Sequence, residues 1–135
     1  MKFYHGSPKK LKVLKPTRAK GRNKFENQKA TFLTKKLDNA KLYAIAKTLK
    51  GKAIFAITKK KIIIVGKKHK LKSGYVYEID INKNKIIKGN LGQYAIKGPI
   101  KPIKTYKVNP KEIKNSIIYV NSYKELIKKF KDMIK

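Results

Sequence analysis

The chain contains no cysteine and no tryptophan, and it has only two histidines and seven acidic residues. Without cysteine it can form neither a disulfide framework nor a thiolate metal site, and it cannot offer a thiol nucleophile. His5 and His69 are too far apart in sequence to form a ligand cluster, so no metal is expected. No apolar run approaches the length of a helical membrane span, and no signal-like apolar segment opens the chain. The expectation is a soluble cytoplasmic protein without a membrane partner.

The seven acidic residues face 37 basic ones, a net charge of +30 over 135 residues. Only Arg18 and Arg22 are arginine. Two readings of this charge stand side by side. Many cations give salt-dependent, largely sequence-independent binding to a polyanion such as RNA or DNA. A lysine-biased composition produces the same total as a solvated surface. Apolar residues make up 41% of the chain and fall in periodic blocks, which argues for a folded core in a single domain over 1–135.

The organising stretch is Lys2-Phe3-Tyr4-His5-Gly6-Ser7-Pro8. Phe3 and Tyr4 favour a strand and Gly-Ser-Pro breaks it, so His5 and Gly6 are expected at a strand end, where chemistry is often sited. Residues 16–24 read as an exposed basic loop, and Arg18, Lys20 and Arg22 are its candidate anion contacts. Ala30–Thr34 reads as a second strand. Asp38 is the expected N-cap of a helix, in which Leu42, Ile45, Ala46 and Leu49 form one apolar stripe before a Gly51 cap.

After the helix the pattern becomes β. Residues 53–57 and 62–65 read as a buried hairpin, 75–81 as a long strand, 92–96 as another, 100–108 as an edge segment with Pro99 and Pro102, and 117–120 as the last strand. Tyr75 and Tyr77 share one face, suited either to the core or to stacking on bases. Ser122 and Glu125 have capping-box spacing for a terminal helix whose buried face is Leu126, Ile127, Phe130, Met133 and Ile134. The expected class is α+β, with several antiparallel strands and two helices.

His5-Gly6-Ser7, the Thr31-Phe32-Leu33-Thr34 strand running into a helix with Ala40 and Tyr43, and the late Gln93-Tyr94-Ala95-Ile96 segment follow one another in a telling order. Together they resemble the ADP-ribosyltransferase superfamily, in its His-Tyr-Glu branch of diphtheria-toxin and poly(ADP-ribose) polymerase type. The resemblance implies a split antiparallel β-sheet with flanking helices and NAD, as substrate, in the cleft. His5 matches the histidine that hydrogen-bonds the adenosine ribose, and Gly6 the glycine whose backbone grips the nicotinamide amide. Ser7 is the accompanying hydroxyl, and Thr34 joins the cofactor-contacting set. Phe32 falls where the family has a catalytic-strand tyrosine, and Tyr43 or Phe32 supplies a ring to stack on nicotinamide. Gln93 sits at the position of the catalytic glutamate, so it can hold a ribose hydroxyl but carries no charge. NAD-dependent RNA 2′-phosphotransferases work without that glutamate and favour basic surfaces. A non-enzymatic nucleic-acid-binding module is the competing expectation.

Overall fold

The computed structural model describes residues 2–18, 29–58, 60–66, 70–89 and 93–134. Its opening strand β1 (Lys2–Ser7) pairs antiparallel with the long strand β6 (Gly74–Asp80), which pairs in turn with the edge strand β9 (Lys104–Val108). The β1–β6 register runs from Lys2 opposite Asp80 to Ser7 opposite Tyr75. His5 and Gly6 therefore lie inside a strand and not at its end, because β6 offers a partner to every residue from Lys2 to Ser7.

A second sheet has the order β2 (Thr17–Arg18), β3 (Lys29–Leu33), β8 (Tyr94–Ile96), β7 (Ile87–Lys88). Arg18 pairs with Lys29, so part of the expected basic loop is strand. Lys20 and Arg22 lie outside the described residues. A third sheet joins β4 (Phe55–Ile57) and β5 (Ile62–Val65) as the expected hairpin, with β10 (Ile117–Val120) on the other side of β5. The β10–β5 pair is parallel, which departs from the antiparallel expectation. A 3-10 segment, Pro110–Ser116, brings the chain into that direction, and it opens on a capping box between Asn109 and Glu112.

The helix α1 (Leu37–Ala46) lies on one face of β1 and β6 and buries Ala40, Leu42, Ala44, Ile45 and Ala46. Asp38 is not its N-cap. The helix starts from Lys36, whose N–H is held by the Thr34 hydroxyl at 3.2 Å, and Asp38 instead places its charge in the first turn, where the helix dipole favours it. A 3-10 turn, Lys47–Leu49, follows, and Gly51 leaves it at φ 80°, a left-handed conformation that suits glycine.

Two glycines set how closely α1 approaches. A Cβ on Gly6 would collide with the Ala40 carbonyl and come 2.7 Å from the Ala44 nitrogen, and one on Gly74 would come 2.8 Å from the Ala44 carbonyl carbon. With alanines facing glycines, backbone packs on backbone and the far edge of the helix is drawn over β1.

Three apolar clusters hold these layers. One joins α1 to β5, β6 and β9 through Ile45, Leu49, Ile64, Val76 and Val108. The second lies on the other face of the sheet and includes Phe3, Leu33, Tyr77, Ile79 and Ile96. The third packs Ile63 and Val120 under Leu126 of the terminal helix α2 (Tyr123–Ile134). In α2 the Ser122 hydroxyl accepts from the Glu125 N–H as expected, while the Glu125 carboxylate turns to the Asn121 N–H. Met133, expected in the buried face, is 37% exposed because the third cluster ends a turn before it. Tyr77 is fully buried and Tyr75 packs on the same cluster, so these tyrosines serve the core and not base stacking.

Candidate functional site

Tyr4 and Thr34 exchange both backbone hydrogen bonds, at 2.7 and 2.9 Å, and so join β1 to the end of β3. In an antiparallel ladder the next such exchange falls two residues on, between Gly6 and Phe32. It is not made. The Phe32 carbonyl accepts from His5 Nδ1 at 2.7 Å, and the Gly6 carbonyl accepts from the Lys47 ammonium at 3.0 Å. The sheet therefore splits after one rung, with two side chains occupying the groups that would have closed it.

A carbonyl can only accept, so the proton of the His5 ring sits on Nδ1 and Nε2 presents a lone pair. That nitrogen has no partner among the described residues. Burial above all, then the nearby Lys47 charge, lowers the His5 pKa from 6.5 to about 4, against the opposing effect of the Phe32 hydrogen bond. The ring is thus neutral at pH 7. It stacks at 6.5 Å on Tyr77, whose hydroxyl donates to the Lys9 carbonyl at 2.7 Å and accepts from the Leu11 N–H. A fixed tautomer, a fixed plane and an open acceptor suit the recognition of a hydroxyl.

Gly6 sits beneath α1, and Tyr43 is the helix side chain nearest it, its Cβ 3.1 Å from where a Gly6 Cβ would be. Because Tyr4 turns its backbone groups to β3, those of Gly6 face the split as well. Lys47 stands one helical turn beyond Tyr43, with its ammonium 6.0 Å from the centre of that ring. Burial, and secondarily the charge of Lys50, lowers the Lys47 pKa from 10.5 to about 8.

On the other side of the split, Phe32 pairs with Ala95 and Leu33 with Tyr94. Gln93 directly precedes Tyr94, the last paired residue on that side. Leu33, Tyr94 and Ile96 pack with Phe3 on the far face, so by strand alternation Phe32 and Gln93 point to the face that carries α1. Gln93 is fixed through its carbonyl, which accepts from the Gly89 N–H at 2.8 Å.

Of the residues singled out in the sequence, His5, Gly6, Phe32, Thr34, Tyr43 and Gln93 border this split. Ser7 does not. Its hydroxyl is buried and accepts from the Lys9 N–H at 3.2 Å, so it shapes the turn after β1. The Thr34 hydroxyl serves the entry to α1. The carboxylate of Glu78 accepts from the Tyr106 hydroxyl at 3.3 Å and pairs with Lys2 at 3.8 Å, away from the split. A hollow of about 470 Å³ lies elsewhere, at the end of β8 away from Gln93, among Asp80, Asn82, Lys85 and Lys97.

Lys47 is the residue that sequence reading missed. The available signal was its spacing of four from Tyr43 and seven from Ala40, which puts all three on one side of a helix.

Among the described residues no group of three or more histidine or acidic side chains is placed to hold a metal, and no helix is long and apolar enough to cross a membrane. Compared with protein-family models, curated proteins and solved structures, the chain matches none.

Proposed function

We propose that the chain is an ADP-ribosyltransferase-like protein that binds NAD in the split between β1 and β3. The observation that carries this reading is the interrupted ladder, where Gly6 turns its backbone into the opening beside a neutral His5 with a free Nε2 acceptor. In this reading Nε2 accepts from a ribose hydroxyl of the adenosine, and the Gly6 backbone takes the nicotinamide amide once Lys47 has left its carbonyl. Tyr43 above Gly6 and Phe32 across the split flank the nicotinamide ring, and aromatic faces favour such stacking.

Transfer breaks the bond between nicotinamide and ribose. Nicotinamide leaves with the bonding pair, positive charge builds on the ribose as in glycosidic cleavage, and an acceptor nucleophile on protein or nucleic acid bonds to C1′ and gives up its proton. Gln93 holds a ribose hydroxyl through its amide oxygen and brings no charge to oppose that build-up. An aimed electrostatic group of this kind is worth about 2.7–4 kcal/mol, or on the order of 10²–10³ in rate, so the native chain binds well and transfers slowly.

The test is calorimetric titration with NAD, together with release of nicotinamide from labelled NAD in the presence of protein and RNA acceptors. Binding that weakens in His5→Ala, with turnover that rises on the order of 10²-fold in Gln93→Glu, supports the reading. If NAD fails to bind and His5→Ala behaves as the native chain does, the reading is wrong.

The net charge favours a second reading, a polyanion-binding surface independent of the split. It requires RNA affinity that falls linearly against salt on logarithmic axes and is indifferent to His5→Ala.

A further inference from the structure

Lys47 is an ammonium group enclosed between α1 and β1 with no carboxylate beside it among the described residues. One of its three N–H groups donates to the Gly6 carbonyl and its charge lies over the Tyr43 ring. The charged and titratable groups around it are Lys50, which repels it, the neutral His5 imidazole, and the Tyr43 phenol. Carboxylates among the described residues are placed elsewhere: Glu78 with Tyr106 and Lys2, Glu112 with Lys41 and the Asn109 N–H, Glu125 with the Asn121 N–H, Asp80 opposite Lys2 at the far end of β1, and Asp132 in α2; Glu26 lies outside the described residues. Asp38 is exposed in the first turn of α1, about two and a half turns before Lys47. A half-buried cation with no counter-ion among the described residues is costly, and the cost is recovered when an anion arrives.

The anion best suited to these donors is a phosphoryl group. A flexible ammonium is a point charge for a phosphate, and two of the Lys47 N–H groups remain to donate beside the one on the Gly6 carbonyl. The adjacent His5 Nε2 accepts from a hydroxyl, so the composite site asks for a phosphate and a sugar hydroxyl on one ligand.

We propose that Lys47 is a phosphate-binding residue that guards the Gly6 carbonyl in the empty protein and moves to the ligand's diphosphate when a nucleotide enters. The proposal rests on the split being a nucleotide cleft and gives that cleft its charge selectivity. While Lys47 lies on the Gly6 carbonyl, the backbone acceptor is satisfied and the opening is kept from closing into sheet. When it swings to the diphosphate, the carbonyl is released for the incoming amide. The lowered pKa of the free protein agrees with this exchange, since pairing with a phosphate must raise it again.

The experiment titrates NAD, ADP, inorganic pyrophosphate and adenosine into the native chain, Lys47→Met, Lys47→Arg and the exposed-lysine control Lys124→Met. Folding of each variant is checked by circular dichroism. Isotope-edited NMR of the lysine side chains follows the Lys47 titration midpoint with and without ligand. The expected result is at least about tenfold weaker NAD and ADP binding in Lys47→Met, partial retention in Lys47→Arg, no change in Lys124→Met, adenosine binding equal in all four, and a midpoint that moves up from about 8 on adding ADP. If NAD binds with the same affinity in Lys47→Met and the midpoint does not move, the phosphate role is overturned and the NAD reading stands. If ADP or pyrophosphate binds through Lys47 but NAD does not, the NAD reading falls and the phosphate role stands. If none of the phosphorylated probes binds, both fall.

Discussion

His5 keeps Nε2 open to a hydroxyl only while its ring is neutral, and burial ensures this by holding the native pKa near 4. The unfolded chain titrates near 6.5, so between those values it binds a proton that the native chain refuses. Acidification from pH 6.5 to 4 must therefore lower stability, by ~3 kcal/mol from this group, with no further loss below about 4. Lys47 has the same sign in a different window. Its native pKa near 8 lies below the unfolded 10.5, so stability rises between those values by a similar ~3 kcal/mol as the ammonium loses its proton. Urea unfolding from pH 4 to 10 measures both slopes. His5→Gln should remove the acid slope and Lys47→Met the alkaline one; persistence of either slope in its variant refutes the assignment. His5 was legible in the sequence because histidines are scarce here and this one precedes Gly-Ser. Lys47 was not, because lysines are everywhere in the chain and only the close packing of α1 gives this one a distinct environment.

The helix and the strands under it depend on each other through Gly6 and Gly74. Neither needs a left-handed backbone for its function; each is glycine because α1 leaves no room for a Cβ. Gly74→Ala should cost about 1–3 kcal/mol in urea unfolding by pushing α1 off β6, and on the proposed NAD reading it should weaken that binding only through the displacement of Tyr43 and Lys47. A neutral outcome would mean that the helix can shift freely. The strands at 62–65, 74–80 and 117–120 were readable from their apolar runs, whereas α1 buries residues on more than one side and its expected stripe reaches past its end to Leu49. What β10 would pair with was not readable. An Ile-Ile-Tyr-Val run states that a strand forms, while its direction beside β5 follows from the 3-10 segment before it. That segment was overlooked although Asn109-Pro110-Lys111-Glu112 carries its capping signature. The extension of β1 through Ser7 was hidden for a related reason, because Gly-Ser reads locally as a break and only β6 opposite overrides it.

At the scale of the whole molecule, a net charge of +30 stores self-repulsion that folding concentrates. Raising NaCl from about 0.05 to about 0.5 M shortens the range of that repulsion from roughly 14 to roughly 4 Å. Melting temperature in the absence of ligand should rise by several degrees over this interval, about 4 °C for each ~1 kcal/mol relieved. A flat or falling curve would show that the lysines are already spaced beyond each other's reach.

The split itself has one consequence that concerns direction. Behind it, Phe3 and Ile79 from one half interlock with Leu33 and Ile96 from the other, while in front, among the described residues, the Tyr4–Thr34 rung and the His5–Phe32 hydrogen bond hold the two edges. The arrangement resembles a bound volume, glued along the spine and free at the fore-edge. The leaves can part toward the α1 side without prising apart the greasy binding.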